Sequence, residues 1–426
     1  MGRSGPRSVD IAGDATGAII VTGDGNAVVV YRGGAPVFAL SPLTARIPVP
    51  PDAGPAALLM ARHEVAEFVG REEFRDDARQ WLASDPRRAV RLVTGQGGQG
   101  KTRLGLQVAR DATAQGWQVF LARHALDGGL IDVEDAPESV PVPDDPVGVL
   151  VLVDYADRWP PQDLLDLLVR PEASRGRVRM LLLGRSAAFW SPLGQTLTRA
   201  GIGVSQRRLQ PLADHGPTRQ RMFDTATAAF ARELGVPVEP VAEGPNLQSP
   251  GFDLTLAVHL AALVTVLRRR DGHAAAQLPD QPALDDPAAL SRELLIREVH
   301  HWQTMAQRRV NPVRLSRETM TRVVLIATLT RTLSAPSALT LLGALDIGAD
   351  PHTVLDDHAL CYPPSRGDIV LEPLYPDRLG EDFIAAVLPG GPVDDHDSAS
   401  LAFLADPSAP LFSPRCCDQP TPQPRP

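Results

Sequence analysis

Residues 91–110 read RLVTGQGGQGKTRLGLQVAR, and this stretch decides the fold of the first half of the chain. Within it, eight residues match the pattern GxxxxGK[ST]: Gly95, Gln96, Gly97, Gly98, Gln99, Gly100, Lys101 and Thr102. An apolar segment precedes the loop and a helical pattern follows it, which is the context that this motif requires. Glycines let backbone N–H groups wrap around a phosphate, and the N-terminus of the following helix adds a partial positive charge. The stretch therefore predicts a phosphate-binding loop, or P-loop.

The side chains of this loop predict ATP or ADP with Mg2+ as its ligands. At this position of the motif, Lys101 neutralises the β- and γ-phosphates and the Thr102 hydroxyl binds Mg2+. Lys and Arg together number 42, and Lys101 is the only lysine. Because arginine replaces lysine everywhere else, we expect position 101 to need the compact ammonium for its chemistry. Arg103, directly after the loop, is expected to lie in the same binding site.

Two aspartates follow the most apolar of the later segments. Residues 147–153 are apolar at consecutive positions, as expected of a central strand that is covered on both faces. We expect Asp154, at the end of this strand, to hold Mg2+ through water, and Asp157 to orient or deprotonate the attacking water. The alternatives are a turn or helix N-cap role for Asp154 and a structural role for Asp157.

A third apolar segment, residues 178–183, precedes Gly184-Arg185-Ser186. Ligands of open α/β folds bind at the carboxyl ends of the strands, so Arg185 is a candidate sensor of the γ-phosphate. The chain has 41 arginines, which is 42 basic residues less one lysine. The alternative is therefore that Arg185 is an ordinary surface arginine.

The apolar pattern divides the chain into regions of different structure. Residues 1–46 carry Gly-Asp and Gly-Asn turn signals and predict a β-hairpin-rich element, and residues 47–57 form a Pro-rich linker. Strands and helices alternate over residues 58–212, which predicts an α/β core with a parallel sheet, and residues 391–426 predict a disordered tail. The predicted strands are 90–94, 119–122, 147–153, 178–183 and, more weakly, 202–212. Five helices are predicted after the core, at 217–236, 253–270, 287–308, 316–333 and 336–344.

Composition excludes several classes of protein. The net charge of -9 argues against the dense basic surface that non-specific nucleic-acid binding needs. The three cysteines, Cys361, Cys416 and Cys417, provide neither a disulfide framework nor the spacing of a zinc site. The N-terminus has no signal-peptide core, and the longest apolar stretch, residues 254–267, is too short to span a bilayer. We therefore expect a cytoplasmic protein that interacts with neither membranes nor nucleic acid, except that a local DNA contact stays open.

Taken together, these motifs resemble the STAND class of P-loop ATPases, which are signalling switches related to the NACHT and NB-ARC groups. The resemblance covers roughly residues 60–388. FVGRE at 68–72 is similar to the lead-in of that class, which implies that Phe68 and Val69 lie over the adenine. VLVLVDYAD resembles its Walker B strand, and LLLGR resembles the segment that carries its sensor arginine. LQPL at 209–212 is similar to the segment that closes the sheet and opens a helical lid.

The resemblance extends to the second half of the chain. LEPLYPDRLGEDF at 371–383 resembles the end of a winged-helix subdomain, where the class often has a Met-His-Asp element in contact with the ADP β-phosphate. Tyr375-Pro376-Asp377 occupy those positions, so the histidine is missing, and only Asp377 is assigned the ADP contact. A helix N-cap is the alternative role for Asp377. By resemblance, residues 213–310 form a helical lid and residues 311–390 a winged-helix-like subdomain.

The leading hypothesis is a regulatory ATPase. ADP would hold the lid and the winged-helix-like subdomain closed on the core, and ATP exchange would open them for self-association, with slow hydrolysis resetting the switch. The class usually adds an effector and a repeat-built sensor, and neither is recognisable here, so the partner proteins stay unknown. The alternatives are a DNA-associated or AAA-type remodelling ATPase and a small-molecule kinase. No acceptor-binding motif supports the kinase, and the acidic charge argues against the DNA-associated enzyme.

Overall fold

The computed structural model describes residues 19–22, 27–32, 35–124, 145–169, 176–212, 216–239, 241, 244–272, 284–345, 347–365, 367 and 369–388. The predicted tail at 391–426, with Cys416 and Cys417, lies outside the described residues, as do residues 1–18.

One sheet of eight strands forms the first half of the protein, in the order β1-β2-β3-β5-β6-β7-β4-β8. Strands β4 to β8 run parallel to one another, and β3 joins this parallel part by antiparallel pairing with β5. The α/β fold with a parallel sheet is thus confirmed, and each of the predicted strands is present. The strand bounds are β1 Ile19–Thr22, β2 Ala27–Arg32, β3 Ala35–Pro42, β4 Arg88–Thr94, β5 Gln118–His124, β6 Gly148–Val153, β7 Arg177–Gly184 and β8 Gly203–Arg208.

Helices cover both faces of the sheet. The bounds of these helices are α1 Glu72–Ala83, α2 Lys101–Ala114, α3 Pro161–Val169 and α4 Trp190–Arg199. Successive residues of a strand point to opposite faces. Accordingly, Val90 and Leu92 of β4 are buried under α3 and α4, while Ala89 and Val93 are buried under α1 and α2. The two apolar layers explain why apolar residues of β4 point to both faces of the sheet, with Arg91 as the buried polar exception.

The N-terminal strands extend the sheet of the core. β1 and β2 form the predicted hairpin, and β3, which was not predicted, pairs with both β2 and β5. The register places Phe38 opposite His124. Phe38 is fully buried in the same apolar layer as Val90, so the described part of this element shares a core with the P-loop domain.

The second half of the described chain is helical, as predicted. The helices are α5 Gly216–Glu233, α6 Thr255–Asp271, α7 Pro287–Ala306, α8 Arg317–Thr330, α9 Ala335–Ala344, α10 Pro351–Cys361 and α11 Asp377–Val387. The sequence predicted the first five of these but not α10 and α11. A short antiparallel pair, β9 Leu333–Ser334 and β10 Ile369–Val370, lies between α8 and α11. One continuous apolar core joins these helices and also takes in Ala56 and Leu58 from the N-terminal side of the P-loop domain.

The parallel strands bring three predicted loops to one edge of the sheet. Thr94 of β4 lies opposite Gly184 of β7, and Val153 of β6 lies opposite Leu182. The P-loop, the aspartates after β6 and the arginine after β7 therefore meet where α/β folds bind ligands. None of the described helices is both long and apolar enough to cross a bilayer.

Candidate functional site

The P-loop has the backbone of a phosphate cradle. Gly98 and Gly100 have φ angles of 80° and 84°, in the left-handed region that glycine adopts without strain. Gln99 is buried, and its side-chain oxygen accepts a hydrogen bond of 2.9 Å from the backbone N–H of Gln96. The Gln99 side chain thus stabilises the loop conformation through a hydrogen bond that a glycine, which has no side chain, could not make.

Lys101 is half-buried at the base of the loop. Its Nζ donates to the carbonyl oxygens of Gly95, at 2.7 Å, and Gln96, at 2.8 Å. Burial lowers the pKa of this ammonium, and the nearby carboxylate of Asp154 opposes that effect. The loop carbonyls therefore hold the Lys101 ammonium in place, and the side chain lines the cleft.

Thr102 and Asp154 meet at the floor of the cleft. The Thr102 hydroxyl donates to Asp154 Oδ2 at 2.7 Å, and the backbone N–H of Tyr155 donates to Oδ1 at 2.9 Å. Burial raises the pKa of Asp154 to about 6, although both hydrogen bonds favour the charged form. Magnesium is bound in proteins by one or two carboxylates together with substrate phosphates. These two oxygen groups, next to a phosphate cradle, fit such an ion.

Asp157 has a different environment from Asp154. Its Oδ2 accepts hydrogen bonds of 3.1 Å from the backbone N–H groups of Arg185 and Ser186, and its Oδ1 is buried without a partner. The carboxylate thus ties the loop after β6 to the loop after β7, and Asp157 is not among the residues that line the cleft. The action of Asp157 on water stays a prediction. What the structure shows is its contact with the backbone of Arg185 and Ser186.

Arg185 lies across the P-loop and reaches the last described helix. A Cβ atom placed at Gly97 would lie 3.4 Å from Nη2 of Arg185. The same Nη2 donates to Asp377 Oδ2 at 3.0 Å, and Nη1 pairs with Glu381. Arg158 adds a longer contact to Asp377 Oδ2 at 3.5 Å. Asp377 is the first residue of α11, so these ion pairs join that helix to the phosphate end of the cleft.

The cleft has a cavity volume of about 150 Å3 and opens to solvent. Its phosphate end is formed by Gly97, Lys101, Thr102, Asp154 and Arg185, so the structure brings together most of the predicted site. Its other end is apolar and is lined by residues 58–61, Val65, Ala66, Phe230 and Leu256.

Of the three predicted residues beside the P-loop, Arg103 lines the cleft, whereas Phe68 and Val69 do not. Phe68 and Val69 line a smaller cavity that adjoins the cleft and shares Arg103 with it. The Arg103 guanidinium donates to Glu64 Oε2 at 2.9 Å and to the Ala66 carbonyl at 3.0 Å. Arg103 therefore fixes the wall of the cleft at residues 64–66, between the two cavities.

Several residues of the site were missed from the sequence. The backbone N–H of Leu256 donates to the Gly98 carbonyl at 2.9 Å, and the Thr255 hydroxyl donates to the Gln99 carbonyl at 3.2 Å. The start of α6 thus rests on the P-loop itself. The sequence predicts residues 58–61 only as the start of the core, because a short segment after a Pro-rich stretch has no periodicity that marks a binding surface.

No protein-family model and no curated protein matches this chain. Among solved structures, Aeropyrum pernix ORC2 in ADPNP–ADP complexes is 14% identical at a TM-score of 0.31, over 76% of this chain and 93% of that one. NtrX from Brucella abortus in complex with ATP is 13% identical at a TM-score of 0.31, over 60% of this chain and 68% of that one. A variant of Thermotoga maritima RuvB is 14% identical at a TM-score of 0.28, over 70% of this chain and 87% of that one.

These similarities are too distant to say what the chain binds. The strand order, the loop between β4 and α2 and the acidic and basic groups at one sheet edge are features of the chain itself. The protein has an α/β fold of the P-loop NTPase type, continued by a helical C-terminal region.

Proposed function

We propose that this protein is an ATP-binding regulatory switch of the STAND type, in which ATP/ADP exchange controls how the C-terminal helices dock on the P-loop core. The observation that carries the proposal is the ion pair between Arg185 and Asp377, at 3.0 Å. It connects the arginine whose guanidinium lies beside Gly97 with the first turn of α11. A group that competes for Arg185 would therefore act directly on the docking of that helix.

The phosphates of a nucleotide fit the loop at Lys101. The Lys101 ammonium would exchange its two carbonyl partners for phosphate oxygens, and the Thr102 hydroxyl and Asp154 carboxylate would hold Mg2+ beside them. When bound, Mg2+ would neutralise the charge on the β- and γ-phosphates. The base would lie toward residues 64–69, where the two cavities adjoin.

A γ-phosphate supplies the difference between ATP and ADP that a switch requires. A ligand shifts a two-state equilibrium only through its different affinity for the two states. ATP would place an additional anion near Gly97, where Arg185 already lies, and would draw the guanidinium away from Asp377. ADP would leave this ion pair intact. We therefore infer that ADP favours the docked state and that ATP favours release of α11, followed by self-association.

Slow hydrolysis agrees with the surroundings of Asp157. Its Oδ2 accepts two backbone hydrogen bonds, its Oδ1 is buried, and the residue does not line the cleft, so the carboxylate is poorly placed to take a proton from water in the docked state. Release of α11 would change the surroundings of Arg185 and, through its backbone, those of Asp157. Turnover would then be faster in the released state than in the docked state.

Nucleotide-dependent sizing tests the proposal. Light scattering after size exclusion should give a small species with Mg2+ and ADP and a larger one with a non-hydrolysable ATP analogue. Lys101→Ala should give the small species in both conditions, which is the matched control. The same size for the parent with both nucleotides would refute the switch. Turnover that requires a small phosphate acceptor would indicate a kinase, and turnover stimulated by DNA would indicate the remodelling alternative.

A further inference from the structure

Tyr155 has a backbone conformation that its side chain disfavours. It follows Asp154 directly, lines the cleft and has φ 50° and ψ 38°, in the left-handed region. An aromatic residue is rarely found there, because its Cβ approaches the backbone too closely. Such conformations persist where the surrounding structure imposes them, and they concentrate at functional sites. The ring must therefore make contacts that glycine, the residue best suited to this backbone, would not make.

The ring of Tyr155 contacts arginines from both halves of the protein. The Arg158 guanidinium carbon lies 3.9 Å from the ring centroid, on the core side. The Arg331 guanidinium carbon lies 5.7 Å from the same centroid, and Arg331 is the residue that ends α8 in the helical half. Burial raises the pKa of the Tyr155 phenol, and the carboxylates of Asp154 and Asp377 add to this effect, so the phenol stays neutral. A neutral ring between two cations is an arrangement that cation–π attraction stabilises.

The backbone of Tyr155 connects these contacts to the floor of the cleft. Its N–H donates to Asp154 Oδ1 at 2.9 Å, and Oδ2 of the same carboxylate accepts from Thr102. A rotation of the Tyr155 backbone therefore moves a hydrogen bond to the carboxylate that faces the phosphate cradle. Arg331, directly after α8, contacts the Tyr155 ring and is not itself a member of the ion pair between Arg185 and Asp377.

We propose that Tyr155 is a positioning residue that couples the docking of α8, through Arg331, to the orientation of the Asp154 carboxylate. The inference rests on the proposed function, because it assumes that the docked state retains ADP. It adds a second connection between the two halves of the protein, at the metal side of the cleft. Undocking of α8 would remove one of the two cations that hold the ring, and the Asp154 carboxylate would lose its fixed orientation.

Three variants test this coupling by the dissociation rate of a fluorescent ADP analogue with Mg2+. Tyr155→Phe keeps the ring and should release ADP within about twofold of the parent rate. Tyr155→Leu loses the ring but keeps a β-carbon in the same backbone conformation, and it should release ADP about 2- to 30-fold faster, the range expected for loss of cation–π contacts. Arg331→Met should give a rate increase in the same range. The double variant should be less than additive, because both changes remove one interaction.

A role in folding alone would give a different result. It would lower the melting temperature of Tyr155→Leu but leave the ratio of ADP affinities with and without Mg2+ at the parent value, whereas coupling predicts a smaller ratio. Arg322→Met, a change on the same helix as Arg331, is the control and should leave ADP release unchanged. An additive double variant would overturn the inference. Parent-like release from Arg331→Met would also overturn it, and this variant can be measured even where Tyr155→Leu is too unstable. If Lys101→Ala abolishes ADP binding while these variants behave as the parent, only the coupling fails and the proposed function stands.

Discussion

Asp377→Asn should release ADP faster than the parent protein. The substitution keeps the size of the side chain and a hydrogen-bond acceptor at the start of α11, and it removes the charge that pairs with Arg185 and Arg158. The Asp377 side chain is 18% exposed, and the two arginines are 33% and 28% exposed. Solvent screens pairs of this kind, so each contributes about 0.5–1 kcal/mol. Their joint loss of about 1–2 kcal/mol corresponds to an increase of about 5- to 30-fold in the ADP dissociation rate.

Stopped-flow release of a fluorescent ADP analogue measures this rate, and thermal melting of the same samples measures stability. Asp111→Asn is the matched control, because Asp111 is 17% exposed and pairs with Arg75 at 2.8 Å between α1 and α2, away from the cleft. The control should lose stability to a similar degree without a change in ADP release. If Asp377→Asn loses stability while its ADP release stays at the parent rate, Asp377 is only part of the helix start. The reasoning about the docked state is then wrong.

The remaining predictions concern the floor of the cleft and the core. Lys101→Ala should remove most ATP and ADP affinity in calorimetry while the fold persists, and unchanged affinity would remove the basis of the proposed function. Asp154→Asn should mainly weaken the Mg2+-dependent part of binding, whereas Asp157→Asn should still bind ATP but hydrolyse it more slowly, and parent-like turnover would make Asp157 purely structural. Because the raised pKa of Asp154 is about 6 and its ordinary value is 3.8, the carboxyl is largely protonated at about pH 5. The Mg2+ dependence of ADP affinity should therefore increase from about pH 5 to about pH 7.5 in the parent and stay flat in Asp154→Asn. Arg179→Met should lower the free energy of unfolding by about 2–4 kcal/mol in denaturant titration, because the buried guanidinium donates to four backbone carbonyls that no other group replaces.

Most strands of the sheet could be predicted from the sequence, because each strand of the P-loop core has a recognisable local pattern. Apolar segments bounded by turns identified β4 to β8, and the ends of three of those strands identified the loops that meet at one edge. β3 was missed because Ala35–Pro42 includes two prolines and a serine, so its sequence lacks the alternation of a typical strand. Its place in the sheet depends on pairing with β5, which is a tertiary contact.

The contacts between the two halves of the protein could not be predicted in the same way. Resemblance brought Asp377 to the nucleotide site, but its pairing with Arg185 depends on how α11 packs, and a chain with many arginines gives no signal for one partner. The sequence also does not show which charged side chains the fold buries. Glu298 accepts a hydrogen bond of 2.5 Å from the backbone N–H of Ala56, and it thereby attaches α7 to the segment that leads into the apolar wall of the cleft. Periodicity predicts which face of a helix is apolar, but it does not predict which charged side chain bonds to another helix or segment.

The single lysine gives this protein a chemical reporter at its binding site. An amine-reactive reagent modifies amines and not guanidinium groups, so Lys101 is the one side-chain amine that it can label. Peptide mapping by mass spectrometry would separate the Lys101 adduct from any modified terminal amine. The extent of labelling would then report the occupied fraction of P-loops in a sample, because a bound phosphate shields the amine. Such a measurement needs no engineered probe, since arginine at every other basic position already keeps the background low.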